Sequence, residues 1–529
     1  MLRIEIHTSL RNQTDPIAHA MRHYHIKESD VRSASIWRRS LDARPHREAC
    51  YVDLIDFELD HEEQYLKKIK GARRMEKYVY HLPECGPEPM VHRPVVVGFG
   101  PAGMAAGLAL AARGYRPLII ERGARIDERQ KDVRTYWQGG SINPESNVQY
   151  GEGGAGAFSD GKLTTRVKDP RVHLILEELI KAGADPSIAW TNHPHLGTDA
   201  LAAIDEAIRQ RIEEMGGEVR FHTRLDDIRI RKGQVTSVLL SSGEEIPTET
   251  VILAIGHSAR DTMHMLASKE DLILQPKNFA VGVRVEHLQS FINHQQYRTI
   301  PDDIPMPAAE YHLSHTSSLG KGVYSFCMCP GGYVVDGASC ADTVVTNGMS
   351  YAARNGRLAN SAIVVQVDSS DFGGGLFDGM TFQQNLEENA WKLGHGRAPA
   401  QLIEDYCQNR VSTSLKGIQP TFPRGTALTD LHALFSPAVN RSLEEFFAYM
   451  DRTWPGFTSE GATMTGVETR TSSPIRIVRN LKTLESDVQG LWPAGEGAGF
   501  AGGIVSSAID GLKCAEEIIR RYSPVPSIS

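Results

Sequence analysis

The chain has 529 residues, with 57 Lys and Arg against 65 Asp and Glu, a formal net charge of −8 and 41% hydrophobic residues. That is length for about two to four domains with buried cores, while the acidic balance excludes a general attraction to nucleic acid or an anionic membrane. No apolar run reaches the roughly 18 residues of a membrane span.

The first residues, MLRIEIHTSLRNQTD, contain no apolar signal core, and the seven cysteines are scattered without a C-x-x-C pair. Both features lead us to expect a cytoplasmic protein with reduced thiols. Residues 1–89 read as a small α/β domain. Residues 2–7 alternate like a strand, 15–24 suit a helix, 34–38 and 51–59 suit strands, and 61–78 read as a polar helix. Arg38, Arg39, Arg44 and Arg47 cluster in the way phosphate ligands do. Residues 1–90 nevertheless hold 15 basic and 15 acidic residues, which favours a solvated mixed face. Pro83, Pro87, Pro89 and Pro94 mark a stiff linker.

The stretch PVVVGFGPAGMAAGLALAARGYRPLIIERG, residues 94–123, organises the rest of the chain. Val95-Val96-Val97 predicts a buried parallel strand. Gly98, Gly100 and Gly103 form G-x-G-x-x-G ahead of an Ala- and Leu-rich helix over 104–112, and a second strand over 117–120 ends at Glu121. The first glycine permits the tight turn, the second lets backbone approach a pyrophosphate, and the third brings helix and strand together. The helix N-terminus attracts phosphate, and Glu121 stands where a carboxylate accepts from ribose hydroxyls. This pattern predicts a bound dinucleotide.

Residues 147–162, NVQYGEGGAGAFSDGK, carry Gly151, Gly153, Gly154, Gly156 and Gly161. Such a loop brings backbone N–H groups to a ligand because no side chains intervene; a plain surface loop is the alternative. Helices are predicted over 171–182 and 199–215, a strand over 219–221, and a β meander over 227–231, 235–240 and 245–246. An apolar strand over 250–255 stops at Gly256. Residues 276–480 turn β-rich and loop-rich, as a separate substrate domain. Residues 490–504, GLWPAGEGAGFAGGI, then give a strand, a glycine turn and a helix from about Ile504 to Arg521, a second helix N-terminus suited to an electron-rich group.

Three of these separated stretches together resemble the FAD-dependent oxidoreductases of the glutathione-reductase and p-hydroxybenzoate-hydroxylase superfamily. The chain looks most like the FAD-dependent dehydrogenases with an extra N-terminal domain. GEGGAGAFSDGKL and SFCMCPGGYVV are also similar to that subgroup. The resemblance implies an α/β fold: a Rossmann-like FAD-binding domain from residues 90–275 and 481–529, a mostly β substrate domain over 276–480, and the small domain 1–89. It implies ADP at Gly98, Gly100, Pro101, Ala102, Gly103, Glu121 and Arg122. Gly153, Gly154, Gly156 and Lys162 of the glycine loop, and Gly256 of Ala254-Ile255-Gly256, join the expected cofactor contacts. The ribityl motif falls on Gly495 and Glu496, with Glu in place of the usual Asp, and Gly502, Gly503 and Ile504 would underlie the flavin.

Glycine clusters at 331–332 and 373–375 lack a strand-to-helix context, so no dedicated second nucleotide fold is expected, and NAD(P)H enters only as a transient electron donor. The expected substrate is a small molecule, with neither nucleic acid nor membrane as partner. A flavin monooxygenase, or an RNA-associated protein with structural FAD, are the alternative functions.

Three residues are candidates for catalysis. Cys327 and Cys329 form C-x-C, which puts both thiols on one strand face, where a dithiol can exchange electrons. Two small apolar core residues are the reading that the burial habit of free cysteine favours. His257, in GHSARD with Arg260 and Asp261, suits an acid/base role or a structural one. Glu152 and Arg470 are further candidates for touching FAD or substrate. No histidine pair has metal-site spacing, so no metal is expected.

Overall fold

The computed structural model of the chain describes all residues except 12–13, 45–47, 77–78, 299, 302, 460 and 527–529. The N-terminal alternation forms a strand, Leu2–Ser9, in a four-stranded sheet with Val31–Asp42, Cys50–Leu59 and Arg73–Arg74. Leu2, Ile4 and Ile6 bury one face together with Ile55 and Phe57. The Pro16–Tyr24 helix begins at Asp15, whose carboxylate accepts from Ile17 N and Ala18 N, and it stops at His25, in the left-handed region. The predicted 61–78 helix is wrong in length. It covers only Glu62–Lys68, because Ile69 is drawn into the core and Gly71 turns the chain at φ +89° so that Arg73–Arg74 pairs with Leu2 and Arg3. Residues 77 and 78 of that prediction lie outside the described residues. Of the arginine cluster, Arg39 is bidentate on Asp53 at 2.6 and 3.0 Å and Arg44 is paired with Asp42; Arg47 is outside the described residues.

The proline segment is tied rather than free: Glu88–Pro89 pairs with Tyr522–Ser523 at the C-terminus. Next comes a five-stranded parallel sheet in the order Leu491–Pro493, Val251–Leu253, Val95–Val97, Leu118–Ile120 and Glu218–Arg220. Strand alternation splits its side chains cleanly. Val96, Ile119, Ile252 and Trp492 face the helices Pro101–Ala112, Thr198–Glu214 and Ile504–Arg521. Val95, Val97, Leu118 and Leu253 face the meander built from Leu225–Arg231, Gln234–Leu240 and Glu245–Pro247. A Cβ on Gly103 would stand 1.9 Å from Gly98 O, and one on Gly511 2.0 Å from Ala102 O, so two glycines set how closely the first and last helices pack.

Residues 279–468 supply a seven-stranded sheet, ordered Ser314–Thr316, Gly322–Cys329, Leu358–Val367, Phe279–Leu288, Thr463–Glu468, Ala398–Leu402 and Thr426–Leu428. Its buried valines pack with Leu443, Phe446 and Phe447 of the Pro437–Thr453 helix.

Candidate functional site

Four parallel strands end at one cavity of about 360 Å³, where Gly98, Glu121, Ala254 and Ala494 emerge from their C-terminal edges. Crevices outside the carboxyl ends of parallel strands are where open α/β sheets bind ligands. The opposite wall is the seven-stranded sheet, through Phe326, Cys327, Cys329 and Glu468.

This cavity gathers most of the residues singled out in the sequence. Gly98, Gly100, Pro101 and Ala102 come from the first glycine turn, Glu121 and Arg122 from the end of the Leu118–Ile120 strand, and Gly154, Gly156 and Lys162 from the glycine loop. Gly256 and His257 lie beyond the Val251–Leu253 strand, while Gly495, Glu496, Gly502, Gly503 and Ile504 complete the far side. Gly103 and Gly153 stand behind the wall, Gly103 against Gly98 and Gly153 against Asp205.

Two helix N-termini open here, at Gly100 and Gly503, and neither has a side-chain cap. Their free N–H groups and positive dipole ends favour phosphate or another anionic group. At Gly502 an added Cβ would meet nothing within 4 Å, and at Gly503 only Ser506 Oγ at 3.9 Å. Gly503 has extended backbone, φ −171°, that any residue adopts. Neither packing nor conformation requires glycine at Gly503, so its missing side chain leaves the cavity wall flat for a close ligand.

Glu121 is more occupied than its spacing implies. Its carboxylate accepts from Phe99 N at 2.8 Å, Gly123 N at 2.8 Å and Gly151 N at 2.9 Å, pinning the glycine loop to the first turn. Arg122 is engaged too: it is bidentate on Asp261 at 3.0 Å, bonded to Glu145 at 2.7 Å, and lies over the Tyr150 ring. Asp261 is thus paired with Arg122, and its sequence neighbour Arg260 reaches Glu387 at 3.0 Å. Arg470 binds the same carboxylate through Nε and Nη2, and donates to Ser258 Oγ and Ser339 Oγ. Burial alone would raise the Glu387 pKa, but the Arg470 and Arg260 guanidiniums hold it down at about 2. Glu152 does not reach the cavity. It is buried against Arg209 at 2.8 Å and accepts from Ile126 N, which corrects its candidacy as a ligand contact.

The C-x-C pair departs from simple alternation. A bulge between Phe326 and Cys329 breaks the register with Leu358–Val367, and Cys327 takes φ +44°. Both residues still line the cavity, Cys327 openly, while Cys329 Sγ donates to Cys327 O at 3.2 Å. Behind them the buried Arg284 donates to Cys327 O and Asn360 Oδ1 and is bidentate on Glu468. Surrounding protein pushes the Cys327 thiol up to about 12 and the Cys329 thiol up to about 11, with Arg284 opposing. Both stay protonated at neutral pH, which disfavours attack by thiolate. His257 Nδ1 lies 3.4 Å from Glu496 Oε2, and its Nε2 is buried without a hydrogen-bond partner.

At the mouth, Lys162 Nζ is 2.9 Å from Glu310, which also meets His193 Nδ1 at 2.7 Å. His193, Glu310 and His312 bring ligand atoms within 4.8 Å of one another, a grouping of metal-ligating types that no sequence spacing announced. The Lys162 ammonium on the carboxylate opposes a cation there. Asp510 is a second residue missed from sequence. It accepts from Gly495 N at 2.7 Å and is bidentate on Arg479, holding the second glycine turn in place. The available signal was a charge beside a glycine in the apolar run IDGL.

The residues present fit FAD. Flat glycine walls, two uncapped helix N-termini, the wall carboxylates of Glu121 and Glu496 and the unpartnered His257 Nε2 suit a long ligand with a pyrophosphate and a planar polar ring.

A family model described as "FAD-dependent protein, C-terminal domain-like" matches residues 278–471. An uncharacterized protein of Clostridium beijerinckii is 44% identical over 503 residues, covering 94% of each chain. Among solved structures, glycine oxidase from Geobacillus kaustophilus is 12% identical over 82% of this chain and 96% of that one, with a TM-score of 0.34. L-Amino acid deaminase from Proteus myxofaciens is 12% identical over 84% and 92%, with a TM-score of 0.33.

Proposed function

We propose that this chain, which belongs to one family with the Clostridium beijerinckii protein and matches the FAD-dependent C-terminal domain over residues 278–471, is an oxidoreductase moving an electron pair between FAD and a small-molecule substrate. The observation that carries this reading is the single cavity on which both uncapped helix N-termini and the Cys327 wall open. When bound, FAD supplies the two-electron chemistry. Gly100, Pro101 and Ala102 would hold its pyrophosphate, with Glu121 beside the ribose. Glu496 would face the ribityl chain, and Gly502, Gly503 and Ile504 the ring.

The chain's own residues bind and orient. Lys162 is ion-paired at the mouth, where an anionic substrate group would compete with Glu310 for it. His257 offers Nε2 as the position that holds or moves a proton, with Glu496 orienting Nδ1. Arg470, fixed by Glu387, Ser258 and Ser339, presents a rigid positive wall. The protonated thiols of Cys327 and Cys329 act as neutral wall groups. NADH or NADPH serves as a transient donor from solution.

The test is spectroscopic. Purified protein should carry or rebind equimolar FAD, and anaerobic addition of NADH, NADPH or a dithiol should bleach it. Folded protein that neither retains nor rebinds FAD overturns the reading. Fast reoxidation by O₂ with an oxygenated product would identify a monooxygenase instead.

A further inference from the structure

A second cavity, of about 410 Å³, lies on the reverse side of the cofactor wall, with Pro101, Gly156 and Ile504 lining both. Its sides are the helices Pro101–Ala112, Arg171–Lys181 and Thr198–Glu214, with Leu82 across them. Pro101 and Arg113 both line it, so at the α-helical rise the slot runs about 18 Å. Met104, Leu108, Leu174, Leu179, Ile208 and Leu512 make its walls apolar. Its size falls within the range of pockets that enclose small ligands.

The polar groups stand at the two ends. At the inner end, Asp205 is 6% exposed, no hydrogen bond to its carboxyl is present among the described residues, and Oδ2 is buried without a partner. At the outer end are Arg113, Arg211 and Glu178. Arg113 Nε and Arg211 Nη1 are buried N–H groups without acceptors. Arg211 is neutralised by Glu178, its Nη2 2.7 Å from Oε2. Arg113 Nη2 donates to Leu82 O, and among the described residues the one carboxylate paired with it is Glu84 at 3.9 Å, a side chain 95% exposed and therefore screened. The outer end is thus net positive with spare donors, and the walls are apolar.

We propose that this slot is a second ligand site, which takes a long-chain carboxylate of the fatty-acid class, its head on Arg113 and Arg211 and its tail running along the Pro101–Ala112 helix toward Ile504. A guanidinium with a free N–H binds a carboxylate by a charge-assisted hydrogen bond. The tail replaces water on Leu108, Leu174 and Ile208 with methylene contacts. A nucleotide or sugar does not suit walls with so few polar partners, and a cationic amphiphile would meet Arg113.

The test uses the full chain with FAD bound, stripped of lipid, and calorimetric titration with octanoate, decanoate and dodecanoate below their micellar concentrations. Affinity should rise roughly fourfold for each added methylene. Dodecanol should bind at least about tenfold more weakly than dodecanoate, because it lacks the charge that Arg113 recognises. Arg113→Met should remove most of that preference while leaving dodecanol binding unchanged. Leu108→Trp, which fills the slot, should abolish binding of both without loss of FAD. Absence of dodecanoate binding, no dependence on chain length, or equal affinity for dodecanol would overturn the proposal. So would unchanged dodecanoate binding in a folded Leu108→Trp protein. The chain-length series on the unaltered protein decides the matter even if that variant does not fold.

Discussion

Replacing Glu121 with Gln tests whether this carboxylate serves the fold as well as the ligand. It accepts three backbone N–H groups, Phe99 N at Oε2 and Gly123 N and Gly151 N at Oε1. The amide has one acceptor oxygen, so one side of the site must turn an NH₂ toward a donor. The less costly orientation keeps Oε1 toward Gly123 and Gly151 and orphans Phe99 N. An orphaned buried donor costs about 1–3 kcal/mol. The two remaining bonds lose their charge assistance, at about 0.5–1 kcal/mol each. The total is about 2–5 kcal/mol, falling on the junction between the first glycine turn and the glycine loop. Thermal denaturation of the FAD-free protein should therefore show the transition lowered by at least about 4 °C, at roughly 2–4 °C per kcal/mol for a unit of this size. FAD affinity should fall as well. A FAD-free variant with an unchanged transition but weakened FAD binding would refute the pinning argument and leave Glu121 as a ligand contact alone.

Gly503→Val should leave the FAD-free protein as stable as the parent, because the new Cβ meets only Ser506 Oγ, yet weaken FAD retention and lower the flavin reduction potential; equal retention and potential, measured spectrally, would contradict the flat-wall reading. Cys327→Ser and Cys329→Ser should keep the FAD spectrum and most of the turnover, and iodoacetamide should modify the parent thiols slowly at pH 7, since the surrounding protein, which displaces water even around the open Cys327, pushes them up to about 12 and 11; rapid alkylation or lost turnover would restore a redox role. Asp205 is buried and beside Glu152, which raises its pKa to about 8, above its unfolded value near 3.8. The native state therefore binds a proton that the unfolded chain has lost, and stability should fall as pH rises between about 4 and 8. Asp205→Asn should flatten that decline and be the more stable protein at pH 8, as a denaturant series across pH would show.

Local requirements were legible in the residues. The run from Val95 to Glu121 announces strand, turn, helix and strand because each step depends on its immediate neighbours: β-branched side chains, a glycine where Gly98 O approaches Gly103, alanines in the helix. The same holds for the Trp492–Ile504 turn and for the parity of Leu2, Ile4 and Ile6. The polar stretch after His61 misled because helix propensity competes with sheet pairing, and the edge beside Leu2 and Arg3 lies about 70 residues away in the chain.

By itself, then, the sequence determined where backbone must turn tightly, which faces are apolar, and that a dinucleotide-type ligand suits the glycine turns. Tertiary structure alone decided which charges meet. It put Arg260 and Arg470 on Glu387 and not on Asp261, turned Glu152 away from the cavity, and set Asp510 beneath Gly495. It also brought His193 to Glu310 and His312, and opened a slot behind Pro101. Backbone conformation and amphipathic period are governed by residues a few positions apart, so contiguous sequence records them. An ion pair or a cavity joins residues scores to hundreds of positions apart, and their partners exist only once sheet order and helix packing have been settled.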